Sequence, residues 1–239
     1  MFKPLTEQQR SMLQTVTEEQ SRTFFKWVYG WMTGGLVVTT IVAYLTTNTS
    51  VMQTLMTSPL ILIGVFIAQI VLVIALAAMI NKMSPPVAAM TFLGYSALTG
   101  LTLSLIVYSY TAGTVTAAFV TTAALFGVMT VVGFTTKADL TKFRTLAMFA
   151  LIGLLIAMVV NIFLASPALN FLISFIGVIL FIGLLAMDTQ RLKLMAAAPE
   201  IQSDRTVAAR MAILGALTLY LDVINLFLFL LRLLGGGRR

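Results

Sequence analysis

The sequence predicts an all-α polytopic membrane protein, a bundle of seven transmembrane helices, and three observations carry that reading. Of 239 residues, 59% are hydrophobic and only 10% charged, with a mean hydropathy of +1.01, whereas a soluble domain carries about a quarter charged residues. The apolar residues gather into seven runs, each near the roughly 20 residues that a bilayer core of about 30 Å demands of a helix. Basic residues fall in alternate connections between those runs, as the positive-inside rule requires.

The runs are placed at 24–48, 59–83, 85–110, 113–136, 141–165, 168–192 and 209–234. The first opens at Phe24, after a polar stretch (1–23) that contains no apolar signal-peptide core and reads as a short cytoplasmic tail. Trp27, Tyr29 and Trp31 lie near its inner edge, where aromatic anchors belong. The uncharged stretch TTNTSVMQTLMTS separates it from the second run, which starts on Pro59 and closes at Lys82. The third starts on Pro85 and runs into SYTAGT; the fourth ends just before Lys137; the fifth carries Lys142 and Arg144 in its first turn and ends at ASPALN. The sixth carries Asp188 at its cytoplasmic end, ahead of Arg191 and Lys193, and the seventh carries Asp222 well inside it. Residues 1–23 thus form a tail, and 24–239 one transmembrane domain.

Loop charge gives the orientation. Lys3, Arg10, Arg22, Lys26, Lys82, Lys137, Lys142, Arg144, Arg191, Lys193, Arg205 and Arg210 all fall on one side, and the three opposite connections contain no Lys or Arg. A cytoplasmic N-terminus in a bacterial inner membrane follows. Arg238 and Arg239 then sit against the rule, so the seventh segment either spans fully or re-enters. Small residues recur every fourth position as Gly30/Gly34, Ser96/Gly100/Ser104, Ala123/Gly127 and Gly153/Ala157, a spacing that lets helices approach closely in lipid.

Composition also limits the chemistry. With no Cys and no His, disulfides, thiol nucleophiles, imidazole bases and the usual zinc sites are excluded. No cofactor, no resident metal and no enzymatic nucleophile–base pair is expected, and the formal charge of +7 reads as membrane orientation, not nucleic-acid binding. The partner expected first is the lipid bilayer.

A carboxylate inside an apolar helix costs about 2.5–3.5 kcal/mol on insertion scales and usually marks function. Asp222 shares one helix face with Thr218, Asn225 and Phe229, with Gly215 one turn before Thr218, which argues that the helix is surrounded by protein. Its simplest alternative role is a structural hydrogen bond to Thr218 or to a neighbouring helix. Asp188 by itself fits a surface residue paired with Arg191 or Lys193 equally well. Should the two carboxyls meet, the doubly ionised form is disfavoured and one proton is shared. Lys82 is the nearest basic candidate to neutralise them, and serves equally as an orientation-setting loop lysine. Gln69, Asn161 and Gln190 are expected in hydrogen bonds between helices.

The strings YGWMTGGL, YSALTGLTL, GFTTKADL, FIGLLAMDTQRL and above all LTLYLDVINLFLFLLRLLG resemble the bacterial form of the Bax inhibitor-1, or transmembrane Bax inhibitor motif, family from about Lys26 onward. The resemblance implies a last helix wrapped by the other six. It also implies a calcium leak gated by a pH-sensing aspartate pair, here Asp188 and Asp222, with calcium as a permeant and transient ligand and Lys82 in the place of a basic latch. Lysine lacks the bidentate fork of arginine. The same resemblance offers a rival role, since some bacterial members bind and restrain a membrane-anchored protease.

Overall fold

A computed structural model describes residues 7–236, and the side chains of Glu19 and of residues 21 onward. Residues 1–6 of the tail, and Arg238 and Arg239, lie outside it. The described residues form nine α-helices and no strand: α1 Glu7–Thr47, α2 Ser50–Thr57, α3 Pro59–Met79, α4 Pro85–Tyr108, α5 Ala112–Thr135, α6 Arg144–Leu164, α7 Pro167–Ala196, α8 Pro199–Ser203 and α9 Arg205–Gly235. All except α2 and α8 are long and apolar enough to cross a bilayer.

Local chemistry sets the starts. Pro59, Pro85, Pro167 and Pro199 occupy the first turns of α3, α4, α7 and α8, where a missing N–H costs nothing. Thr111 and Ser166 cap α5 and α7 with their side-chain oxygens, and Asp204 accepts from the Thr206 and Val207 amides at the start of α9.

Three boundaries differ from the sequence reading. Helix α1 begins at Glu7, inside the expected tail, and residues 50–57 of the expected loop form α2, which buries Met52 and Leu55. Helix α7 runs on to Ala196, with the Lys193 Nζ donating to the Phe134 carbonyl at 2.8 Å. The seventh span is one unbroken helix of 31 residues, about 46 Å long, long and apolar enough for a full span.

Helix α9 is the axis of the bundle. Of its most apolar stretch 67% is buried, against at most 33% in any other span, and α1, α4, α5, α7 and α8 pack around it. Helices α3 and α6 are peripheral, on α4 and α7 respectively, and present exposed Ile67, Ile70, Leu155 and Phe163 outward. The connections at 80–84, 136–143 and 197–204 share one end of the bundle, called here the basic end; the opposite, neutral end holds 48–58, 109–111 and 165–166.

The glycine ridges differ from expectation. Gly30, Gly34, Gly127 and Gly153 meet no neighbouring atom. Close approach falls instead on Gly35 against Phe92 and Ser96, on Gly100 against the Thr39 carbonyl and Val42, and on Gly133, Gly177 and Gly215. Ser96, Gly100 and Ser104 are buried, as the ridge on the third run predicts.

Candidate functional site: a carboxyl pair between two antiparallel helices

The seam between α7 and α9 runs in heptad steps along α9. Gly215 faces Leu192, Asp222 faces Asp188, and Phe229 faces Gly177 and stacks on Phe181 at 5.7 Å between ring centroids. As α9 advances seven residues at a time, its partners on α7 recede toward Pro167, the signature of antiparallel helices held in register. That register brings the two carboxyls within hydrogen-bonding reach of one another.

Asp222 is only 5% exposed, and its Oδ2 finds no hydrogen-bond donor among the described side chains. The neighbours proposed from sequence do not supply one. Thr218 donates to the Leu214 carbonyl at 3.1 Å and Asn225 to the Leu221 carbonyl at 2.8 Å, each one turn back on α9 itself. They satisfy themselves within their own helix, so Asp222 depends on Asp188. The only hydrogen that can join two carboxyls is one of their own.

Asp188 is half-buried and eight residues short of the end of α7, so the helix continues past it. Arg191 on α7 and Arg144 at the start of α6 act on it electrostatically. Lys82 does not belong to this group. It is exposed in the turn Ile80–Lys82, and that turn is tied to Arg210, whose Nη1 donates to the Asn81 carbonyl at 3.0 Å. Arg210 lies twelve residues, or about 18 Å of helix, from Asp222, beyond the reach of a lysine.

The α7 segment that carries Asp188 is strapped to α5 and the turn after it. Gln190 accepts from the Leu140 amide and donates to the Ala138 carbonyl, both at 2.8 Å, and a Cβ on Gly133 would stand 2.6 Å from the Ala186 carbonyl oxygen. Beside it the buried hydroxyls of Tyr29, Thr130 and Thr189 gather from α1, α5 and α7 without a fully formed hydrogen bond. Tyr29 therefore faces the bundle and is not the lipid-interface anchor its position suggests. Trp27 takes that edge, under the Arg205 guanidinium at 5.7 Å.

On the other side of α9 a polar layer escapes sequence reading. The hydroxyl of fully buried Tyr220 meets Thr39 Oγ1 at 2.6 Å, and Thr39 also reaches the carbonyls of Gly35 and Ser96, each at 2.9 Å. Gln69 donates to Thr102 at 3.1 Å and Thr99 at 3.5 Å, joining α3 to α4 as expected. Asn161 instead accepts from the Ser166 amide and closes the end of its own helix.

These features define a polytopic helical membrane protein with a central last helix and a buried aspartate pair. Residues 21–239 match the family described as Inhibitor of apoptosis-promoting Bax1, and the chain belongs to this Bax inhibitor-1 family, as the resemblance of its motifs implies. It is 50% identical over 218 residues to the inner membrane protein YbhL of Escherichia coli K12, covering 91% of this chain and 93% of that one. A protein of Deinococcus radiodurans is 43% identical over 231 residues, 97% of each chain. One of Borreliella burgdorferi is 42% identical, over 90% of this chain and 92% of its own.

Proposed function

We propose that this protein is a pH-responsive leak for calcium in the bacterial inner membrane, with its basic end toward the cytoplasm and the Asp188–Asp222 pair as its gate. The observation that carries the reading is the meeting of two carboxyls in a neutral bundle, with Asp222 Oδ2 given no other partner. The twelve basic residues of one loop set support the orientation, and the inner-membrane relative supports the compartment.

With one proton between them, the carboxyls join α7 to the central helix. Without it, two unit charges about 4 Å apart repel by about 4 kcal/mol at an effective dielectric of 20, enough to force the seam apart. Arg191 and Arg144 are then placed to draw Asp188 outward. Two carboxylates offer hard oxygens to a passing calcium ion, but a resident site takes six to eight, so the pair suits passage over storage. Among the described residues no group of three or more acidic side chains adds to it. The protein acts without chemical turnover in this reading.

The test is calcium entry into liposomes that contain only the purified protein and an internal indicator, with external pH stepped through the neutral range. Entry above protein-free liposomes that changes with pH is expected. A flat, background-level trace sinks the leak and leaves restraint of a membrane protease as the better account.

A further inference from the structure

Toward the neutral end, α1, α4, α5 and α9 leave a cavity of about 540 Å³ between them. Nearer the basic end α1 and α5 are closed together by Phe25 on Phe134, 4.7 Å between ring centroids, and Tyr29 on Phe126, 6.1 Å. From Phe126 outward the two helices part, and the back wall of the space is Val223, Ile224 and Phe227 of the central helix. Its mouth is flanked by Tyr44 and Phe119, which are 68% and 63% exposed on the outer surface of the spans. The cavity is therefore continuous with the face that the bundle turns to the bilayer.

The wall chemistry selects the occupant. No lining residue is charged. Most of the hydroxyls that line it are committed to backbone carbonyls: Thr39 to Gly35 and Ser96, Thr40 to Leu36, Thr47 to Tyr44, Ser104 to Leu101 and Thr122 to Ala118, and the remaining two, on Tyr44 and Thr116, belong to exposed residues. A water molecule needs two to four polar partners, and apolar cavities of this kind stay dry and take apolar guests. An ion has still less to hold it. A void left empty forfeits the dispersion contacts of every atom that lines it.

We propose that this cavity binds an acyl chain of a membrane phospholipid, which enters between α1 and α5 and lies along Val223, Ile224 and Phe227 of α9. The chain completes the wall of the central helix from the residue after Asp222 outward. The proposal does not rest on the calcium reading, and its test uses no flux.

The protein is reconstituted into vesicles of phosphatidylethanolamine that carries a diazirine midway along one acyl chain, irradiated, and mapped by peptide mass spectrometry. Val223 and Phe227 are 9% and 8% exposed, so a probe confined to the outer surface leaves them unlabelled, while Phe66 and Ile70 of α3, 48% and 56% exposed, report the surrounding lipid. Adducts on both α9 and α3 are expected, with those on α9 falling several-fold in Ala123→Phe, which fills the space, while those on α3 persist. Ala43→Phe fills it from the α1 wall and gives the same pattern should the first variant fold poorly. Adducts confined to the outward faces of α3 and α6 in the native protein, or α9 adducts undiminished in a folded cavity-filling variant, overturn the proposal.

Discussion

Replacing Gly177 with alanine presses on the seam that sets the aspartate pair. A Cβ at this position would stand 2.6 Å from Cδ1, 2.7 Å from Cγ and 2.8 Å from Cδ2 of Phe229. Ordinary carbon contacts begin near 3.5 Å, so ring and helix must separate by about 1 Å. The ring has little freedom to turn away, because Phe181 stacks on it with an interplanar angle of 29° and the Arg232 guanidinium lies 5.7 Å from its centre. Overpacking of this kind costs about 1–3 kcal/mol. The assay is thermal unfolding of the detergent-solubilised protein followed by helical circular dichroism, where Gly177→Ala is expected to lower the midpoint by several degrees. Phe229→Leu should relieve the alanine, so the double variant loses less than the two singles together, with a coupling within the ~0.5–3 kcal/mol seen for residues in contact. An unchanged midpoint for Gly177→Ala, or a Phe229→Leu cost that is equal in both backgrounds, refutes the reasoning.

Tyr220→Phe removes the hydroxyl that meets Thr39 and is expected to destabilise by about 0.6 kcal/mol, at most about 1.7, the range for hydrogen bonds between transmembrane helices. Thr39→Val should cost more, since it strands the Tyr220 hydroxyl, and the double variant should unfold close to Thr39→Val alone. Cysteines placed singly at Thr49 and Gly113 should react with an impermeant thiol reagent from outside the cell and those at Lys137 and Ser203 should not, in a chain with no native cysteine; external labelling of Ser203 reverses the orientation. Asp139 caps the turn Leu140–Phe143, and hydrogen bonds from the Thr141 hydroxyl and amide, with the charge of Lys142, hold its carboxyl below the usual range. A depressed carboxylate stabilises above its unfolded value near 4 and loses that contribution as pH falls through its folded value. Asp139→Ala should therefore speed hydrogen exchange at Thr141 at neutral pH, with the difference from the native protein vanishing in strong acid.

The spans were readable because the bilayer fixes their length, and Asp222 stood out because a charge in such a helix has no cheap explanation. Asp188 was harder to place, since Arg191 and Lys193 look like the end of a helix; only the structure shows Lys193 bent onto the Phe134 carbonyl while the helix continues. Lys82 closes the cytoplasmic end of its run, but the bond from Arg210 to the Asn81 carbonyl holds its turn far from the pair. The Tyr220–Thr39 contact leaves no sequence signal, because uncharged hydroxyls 181 residues apart disturb neither hydropathy nor charge pattern. The glycines misled for a geometric reason: Gly34 and Gly35 are adjacent, and which of them meets a neighbour depends on helix rotation. The face shared by Thr218, Asp222, Asn225 and Phe229, with Gly215 a turn earlier, signalled a helix surrounded by protein, while its meeting with α7 is visible only in the structure.

The central claim is that Asp188 and Asp222 titrate as one unit. Calcium entry into liposomes should be measured against pH for the native protein, Asp188→Asn, Asp222→Asn and the double variant, each checked for folding by its unfolding midpoint. Asparagine keeps the shape and removes the charge, so either single change should abolish the pH dependence, and the double should be little worse than either, because coupled sites are not additive. A single variant that keeps the native pH midpoint, or two effects that simply add, contradicts the shared-proton gate.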